Sequence, residues 1–242
     1  MPFSGRIQQF SSNRLLDALE PSARQRIESQ CEPVTLELEA LVCEAGTILR
    51  HAWFPQGCVL SLLTVLKSGS VIETANIGRE GAFGLAAVYS PASFSRCIVQ
   101  MKGPMVRCPI EILLQEFNHS EALRAVFVKY AEALLAQTNQ SVACNALHTT
   151  EERVCRWLLM MLDRSDSEHL SYTHEFVSSI LGVNRKSITL AAQAMQVSGL
   201  ISYQRGKIQV LDRRGLEAAA CECYKVVKRR FDSLFVPHSP LT

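Results

Sequence analysis

The chain has 242 residues, of which 48% are hydrophobic and 20% are charged, which is enough for one large or two modest domains with a buried core. The formal net charge is only +2, so the charge balance of the whole chain does not mark a nucleic-acid-binding protein. No apolar run approaches the roughly 20 residues that span a bilayer, and no signal peptide is evident. We therefore expect a cytoplasmic protein with no membrane partner.

The amino-terminal part predicts a helix followed by many short strands. Residues 11–31 have helical periodicity, with a boundary at Glu20-Pro21. From Val34 to about Arg107, β-favouring runs alternate with turn signals, which predicts a compact antiparallel roll or barrel. The predicted strands are Val34–Leu38, Thr47–Leu49, Val59–Leu66, Val71–Ile77, Cys97–Met101 and Met105–Cys108.

Helical periodicity returns from Pro109 to about Arg164. A short helix at Ile110–Phe117 precedes a longer segment that Asn118 or Ser120 can cap and that runs towards Leu147. Apolar residues recur in this segment at alternating spacings of four and three, as in a helix that pairs with another helix. The predicted seam is Leu123, Phe127, Tyr130, Leu134 and Thr138, and it is flanked by the polar residues Gln137, Ser141 and Asn145.

A long helix between a β-roll and a further domain has little surface of its own chain to cover such a seam. We therefore expect parallel self-pairing and a homodimer, with the polar residues setting the register. The competing interpretation is a helix that packs within its own domain. A third helix, Glu151–Leu162, follows a Thr149 or Thr150 cap.

Residues 172–201 have the pattern of a helix-turn-helix: a short helix, a turn at Gly182 and a second helix that begins with cations. Phe176, Ile180 and Ile188 supply an inner apolar face. Polar side chains between them can face outward, where they suit phosphate contact and base reading: Asn184, Arg185, Lys186, Ser187 and Thr189. An ordinary pair of packed helices has the same pattern, so the motif alone leaves both interpretations open.

The next segment favours DNA binding. Two β-patterned runs, Leu200–Tyr203 and Lys207–Leu211, are joined by Arg205-Gly-Lys207, which predicts a hairpin with a basic tip. A helix-turn-helix followed by such a hairpin is a winged helix. Ser171 to Arg214 contains six cations and two anions, whereas residues 1–147 contain twelve cations and thirteen anions. Positive charge is therefore concentrated on the segment that has the motif.

The nine cysteines show no CxxC pair and no Cys/His cluster at zinc spacing, so the sequence predicts no metal site. Their odd number argues against a secreted disulfide framework. Most have apolar neighbours and are expected to be small buried hydrophobic residues. Cys221 and Cys223 form the only close pair.

The order of β-roll, long helix and winged helix resembles the Crp/Fnr superfamily of bacterial transcription regulators over nearly the whole chain. The resemblance implies that Arg185, Lys186 and Leu190 occupy the base-reading positions of the recognition helix. Lys186 and Leu190 depart from the Glu and Arg of the cyclic-AMP-binding members, so a different operator is expected. Thr173, His174 and Ser187 fall where relatives contact phosphates.

The same resemblance places an effector pocket at Gly84, Leu85, Ser95 and Arg96. Cyclic-nucleotide binders have a Gly-Glu pair and an Arg-Ser pair there, whereas this chain has Gly84-Leu85 and the reversed order Ser95-Arg96. A cyclic nucleotide is therefore not expected. An iron-sulfur cluster is not expected either, because the amino-terminal cysteine cluster that would bind it is absent from the sequence. Haem has only His51 or the Met1-Pro2 terminus as candidate ligands, so no cofactor is predicted.

The sequence thus predicts an α+β protein: an antiparallel, jelly-roll-like sensor β-roll (1–117), a dimerisation helix (118–147) and a winged helix-turn-helix (148–242). The expected function is a homodimeric, non-enzymatic regulator that reads double-stranded DNA, with Arg205 and Lys207 gripping phosphate from the wing. The resemblance implies RNA polymerase as a further partner. The alternatives are a metal-dependent, cupin-like enzyme on the roll, or a ligand-sensing module that binds protein.

Overall fold

The computed structural model describes residues 13–165 and 169–236. Two short helices, α1 (Arg14–Asp17) and α2 (Pro21–Glu28), precede the strands. The Asn13 side chain caps α1 by accepting from the backbone N–H of Leu15 and Leu16. Its amide Nδ2 donates to the carbonyls of Pro55 and Gly81 at 2.7 and 2.9 Å, so one buried side chain fastens α1 to two loops of the roll.

The strands form two antiparallel sheets, which confirms the predicted β-roll. In the first, β1 (Glu32–Thr35), β7 (Pro104–Pro109) and β3 (His51–Pro55) lie in the order β1-β7-β3. The second has the order β2-β6-β4-β5. Its strands are β2 (Leu41–Cys43), β4 (Val59–Val65), β5 (Val71–Ile77) and β6 (Arg96–Met101).

Strands β2 and β3 were not predicted, and the strand predicted at Thr47–Leu49 is wrong. In β3, Ala52 and Phe54 are buried while Trp53 faces Arg107, an alternation that the polar His51 and the terminal Pro55 concealed. Residues 47–49 contribute only an isolated bridge at Ile48, because their backbone pairs with a loop rather than with a strand.

Two helices connect the roll to the carboxy-terminal part: α3 (Ile110–His119) and the 27-residue α4 (Glu121–Leu147). Ser120 caps α4 by accepting from the N–H of Leu123 at 3.1 Å. The predicted seam is largely wrong, because Leu123, Phe127 and Tyr130 are 2%, 5% and 3% exposed in the single chain. Tyr130 donates its hydroxyl to the Ala82 carbonyl at 2.8 Å.

The seam residues therefore hold α4 against its own β-roll, which covers more of the helix than was expected. Leu134 is half-buried against the same core, and Thr138 is half-buried and donates back to the Leu134 carbonyl. The apolar residues that α4 does expose are one position or more away from that seam: Val128, Leu135, Val142 and Leu147.

The carboxy-terminal part begins with α5 (Thr150–Arg164), where Thr149 and Glu152 form a capping box. It continues with β8 (His169–Ser171), α6 (His174–Leu181), α7 (Arg185–Val197), β9 (Ile201–Gln204) and β10 (Lys207–Val210). The strands lie in the order β8-β10-β9. The predicted helix-turn-helix and hairpin are confirmed, and β8 adds a third strand to the wing.

Two further helices, α8 (Arg213–Ala219) and α9 (Cys223–Asp232), were not predicted. Helix α9 returns to pack on α4, where Phe231 lies 6.4 Å from Tyr130 between ring centroids. Helix α9 is thereby fastened to the long helix. In residues 13–165 and 169–236, no helix has both the length and the apolar character needed to cross a membrane.

A buried polar network joins the roll, α4 and α5. The Arg164 guanidinium lies 2.8 Å from the Glu80 carboxylate, and both side chains are almost fully buried. Arg164 also donates to the Gln137 side chain at 2.7 Å, and Gln137 donates to the Asn76 carbonyl at 3.1 Å. Gln137 therefore bonds within its own chain and does not set a dimer register.

Glu73 lies beside this network and turns its carboxylate inward. It accepts from Ser61, Asn76 and Gln100 at 2.6, 3.0 and 2.7 Å. Burial is the largest influence and raises the pKa of Glu73 to about 7, although these hydrogen bonds and the charge of Arg164 oppose it.

We expect the stability of the protein to fall as pH rises through this pKa. The folded carboxyl titrates at about 7 and the unfolded one at its ordinary 4.5, so the folded state holds the extra proton between them. The free energy of unfolding should therefore decrease across that window by about 2 kcal/mol more in the wild type than in Glu73→Gln. Urea unfolding between pH 5 and pH 8 measures this, with the exposed Glu111→Gln as the control. Equal pH dependence in wild type and Glu73→Gln would contradict it.

Candidate DNA interface

The turn between α6 and α7 sets the angle of the second helix. Gly182 ends α6 with φ of 63°, a left-handed conformation that glycine adopts without steric cost. Asn184 then caps α7 by accepting from the N–H of Ser187 at 2.8 Å. The Ser187 hydroxyl donates to the same Asn184 oxygen at 3.0 Å. Helix α7 consequently begins at Arg185, as the motif predicted.

Helix α7 is amphipathic, with a buried apolar face and an exposed polar face as the sequence predicted. Ile188, Ala191 and Met195 are buried against the domain core. Arg185 and Lys186 are exposed, and the Arg185 side chain is 70% accessible with Glu175 as a loose neighbour at 3.9 Å. Leu190 is also exposed. The three predicted base-reading positions therefore share an outward face.

Gln193 lies on that face as well and was not in the predicted set. It is three residues after Leu190 and seven after Lys186, so helical periodicity could have identified it from the sequence. Its amide can both donate and accept, which suits the edge of an adenine.

His174 lies behind the exposed face. Its Nδ1 is 3.0 Å from the Thr189 hydroxyl, its ring stacks on Tyr203 with centroids 4.5 Å apart, and its Nε2 is buried without a hydrogen-bond partner. Burial, with a smaller effect from the charge of Arg185, lowers its pKa. In this arrangement a neutral His174 joins α6, α7 and the wing, and it does not present a nitrogen to a phosphate.

The other predicted phosphate contacts lie at helix starts. Thr173 is exposed and caps α6 by accepting from the N–H of Phe176 at 3.1 Å. Ser187 is half-buried in the first turn of α7. Both residues lie at helix starts, which favour anions, and their contacts with phosphate remain predictions.

The wing ends in a two-residue turn. Lys207 pairs with Gln204 across the hairpin, and the residues between them, Arg205 and Gly206, have φ of 49° and 80°. Two consecutive positive φ values define a type I′ turn, whose twist matches that of the strands. Arg205 and Lys207 are both exposed at this tip. Arg213, counted with the basic segment, is instead bonded to Asp163 and Tyr224.

The predicted effector pocket is a cavity of about 340 Å³ between the roll and α4. Gly84, Leu85 and Ser95 line it as expected. Arg96 does not, because it pairs with Glu44 at 2.9 Å. Among the residues that the structure describes, the lining contains no charged side chain and is mainly apolar, with Phe83, Phe94, Phe117, Phe127 and Tyr89 as its aromatic members.

The structure forms a Cys/His cluster where the sequence spacing predicted no metal site. Cys144, His148, Cys221 and Cys223 bring their ligand atoms within 4.8 Å of one another. The sequence contains two partial signals for it: Cys144 and His148 are one helical turn apart, and Cys221 and Cys223 form the close pair. Nothing in the sequence spacing indicates that α9 folds back onto the end of α4.

Comparison with known proteins agrees with this architecture. Residues 152–219, from α5 through α8, match the Crp-like helix-turn-helix domain. FixK2 from Bradyrhizobium japonicum superposes with a TM-score of 0.69 at 12% identity, covering 79% of this chain and 98% of that one. The c-di-GMP-responsive global regulator CLP of Xanthomonas campestris gives 0.62 at 13% identity, covering 80% and 100%.

A Crp/Fnr-family transcriptional regulator from Thermus thermophilus gives a TM-score of 0.60 at 19% identity, covering 78% of this chain and 98% of that one. At these identities the three structures establish a shared fold. No curated protein sequence matches the chain.

Proposed function

We propose that the chain, whose residues 152–219 match the Crp-like helix-turn-helix domain, is a DNA-binding transcription regulator of the Crp/Fnr superfamily that acts as a homodimer, with its two α7 helices reading a two-fold symmetric operator. Successive major grooves on one side of the duplex lie about 34 Å apart, which is the spacing that the two helices need. RNA polymerase is the further partner that membership in the superfamily suggests.

The orientation of α7 carries this proposal. Its apolar face is buried in the domain, so Arg185, Lys186 and Leu190 form a protruding edge. An arginine can bond bidentately to O6 and N7 of guanine, which makes Arg185 the main base reader. Arg205 and Lys207, at the tip of the wing, lie where a winged helix meets the adjacent phosphates.

We expect Arg185→Ala and Lys207→Ala to weaken DNA binding in different ways. Arg185→Ala should cost about 1–3 kcal/mol and relax the preference at one base pair of each half-site. Lys207→Ala should weaken binding to all DNA sequences alike and reduce the salt dependence of the affinity by about one phosphate contact. Selection of duplexes from a random pool followed by fluorescence anisotropy at several salt concentrations measures both.

Gln209→Ala is the matched control, because Gln209 is exposed on the same hairpin but uncharged. If Arg185→Ala bound the selected operator as tightly as the wild type, α7 would not be the reading helix. Duplex binding without salt dependence would instead favour the protein-interaction alternative.

The homodimer is supported by the exposed stripe on α4 rather than by the seam first predicted. Val128, Leu135 and Val142 are 64%, 59% and 67% exposed and recur every seven residues. Ala131, Thr138 and Asn145 lie between them at the alternate positions of a heptad. Solvent exposure of such a stripe is unfavourable, and pairing two copies in parallel buries it while placing both α7 helices at the same end.

Leu135→Glu should therefore convert the protein to a monomer, because it places two like charges opposite each other in the middle of the stripe. Operator affinity should fall together with dimerisation. Analytical ultracentrifugation and anisotropy measure the two quantities. Leu66→Glu is the control, since Leu66 is 55% exposed at the β4–β5 turn, outside α4. A Leu135→Glu protein that remained dimeric would show that another surface pairs the subunits.

The cavity between the roll and α4 suits an uncharged, mainly apolar effector. It reaches α4 at Val128, Ala131 and Leu134, so a ligand there would lie directly behind the exposed stripe. Such a ligand can alter pairing of the helices only if it binds one arrangement better than another. The cupin-like enzyme has less support, because His51 is the only histidine in the described strands of the roll.

Cyclic nucleotides should not bind this cavity. A buried cyclic phosphate needs a cation with aimed donors, and Arg96 is held by Glu44 outside the lining. Isothermal titration with cyclic AMP and with cyclic GMP is expected to show no saturable heat. Saturable binding of either nucleotide that is lost in Arg96→Ala would contradict this expectation.

A further inference from the structure

The Cys/His cluster lies where the long helix α4 meets α9. Cys144 is in the final turn of α4, and His148 caps that helix. Cys221 precedes α9, and Cys223 is its first residue. The three cysteines are at most 4% exposed and form a small core of their own. Side chains that are far apart in sequence thus converge on one buried point.

Two of the six separations match those of a tetrahedral metal site, and all six are within 4.8 Å. The Cys144 and Cys221 sulfurs are 3.6 Å apart, and the Cys223 sulfur is 3.5 Å from His148 Nδ1. Zinc bonds of about 2.3 Å to sulfur and 2.0 Å to nitrogen place tetrahedral ligands roughly 3.5–3.8 Å from each other. A disulfide, by contrast, needs sulfurs about 2.05 Å apart.

The surrounding groups orient these ligands as metal sites require. Glu222 lies 3.2 Å from His148 Nε2, so that nitrogen can donate to the carboxylate while Nδ1 presents its lone pair to the cluster. The Gln140 amide donates to the Cys223 sulfur at 3.1 Å. The buried Arg156 interacts electrostatically with Cys144, so its charge offsets the excess negative charge of three thiolates around one divalent ion.

We propose that Cys144, His148, Cys221 and Cys223 bind one Zn²⁺ in a closed Cys₃His site. Three thiolates and an imidazole select a thiolate-preferring ion over Mg²⁺ or Ca²⁺. All four positions are filled by protein, so the site is structural and has no open coordination position for catalysis.

The ion would clamp α9 onto the end of α4, directly before the capping box that starts α5. Metal binding to a folded site stabilises the folded state, so removal of zinc should loosen the connection between the long helix and the winged helix. Any effect on operator affinity rests on the proposed function, whereas metal binding itself does not.

The first test is the zinc content of the purified full-length protein. The wild type should contain one zinc per chain by mass spectrometry of the metal. Replacement by Co²⁺ should give intense visible bands of tetrahedral cobalt together with thiolate charge-transfer absorption. His148→Ala and Cys223→Ser should lose the stoichiometric metal, whereas Cys31→Ser, a half-buried cysteine outside the cluster, should keep it.

Glu222→Gln should disturb folding least among these variants, because the Glu222 side chain is 73% accessible to solvent. It should lower zinc affinity about 10-fold and preserve the tetrahedral cobalt spectrum. Zinc released from folded wild-type protein by a thiol-specific mercurial, and quantified with a chromogenic chelator, provides a measurement that needs no variant.

Three outcomes would overturn the proposal. One is wild-type protein that binds neither zinc nor cobalt after expression with added zinc. Another is a Cys144–Cys221 disulfide as the stable state, detected as a mass loss of two hydrogens. The third is the visible absorption of an iron-sulfur cluster that requires these cysteines. Operator binding by metal-free protein would leave the DNA-binding proposal intact, so the two failures are distinguishable.

Discussion

The buried ion pair of Arg164 and Glu80 is the constraint on which the arrangement of the three parts depends. Burying a charge is costly unless a partner and hydrogen bonds compensate it, and here the partner comes from the roll and a further acceptor, Gln137, from α4. The contacts of Arg164 Nε with Glu80 and of Nη2 with Gln137 therefore exist only when the roll, the long helix and α5 are docked together, although Arg164 Nη1 is buried without a hydrogen-bond partner. Such a network contributes more to a single arrangement than to total stability.

That docking assigns the two faces of α4. The face with Phe127, Tyr130 and Gln137 packs within the same chain, whereas Leu135 on the opposite face is exposed, and this is the face through which the proposed dimer would pair. The cavity of the roll lies between the face of α4 that packs on the roll and the exposed stripe, because residues of α4 adjacent to that stripe line it. The docked roll, the cavity and the exposed stripe thus all meet on one helix, so a ligand in the cavity and the partner helix of the proposed dimer would contact neighbouring surfaces of α4.

The far end of α4 connects this arrangement to DNA reading. Its last turn contains Cys144, its cap is His148, and α5 begins two residues later. Helix α9 also packs along α4, with Phe231 against Tyr130, so the winged-helix part contacts the long helix through α9 as well as through α5. The exposed edge of α7 is thereby positioned relative to α4 by packing contacts rather than by a flexible linker.

The sequence by itself determined the elements whose signals are local. The periodicity of α4, its cap at Ser120, the turn at Gly182 and the basic hairpin each depend on neighbours within a few residues, so the β-roll, the long helix and the winged helix-turn-helix were predictable. Tertiary structure decided what depends on long-range contact. It decided which apolar face of α4 is covered, that His174 lies behind the interface, that Arg96 turns away from the cavity, and that α9 brings two cysteines to Cys144 and His148. Periodicity marks an apolar face but not the surface that buries it, and sequence spacing does not measure distance between elements that meet only after folding.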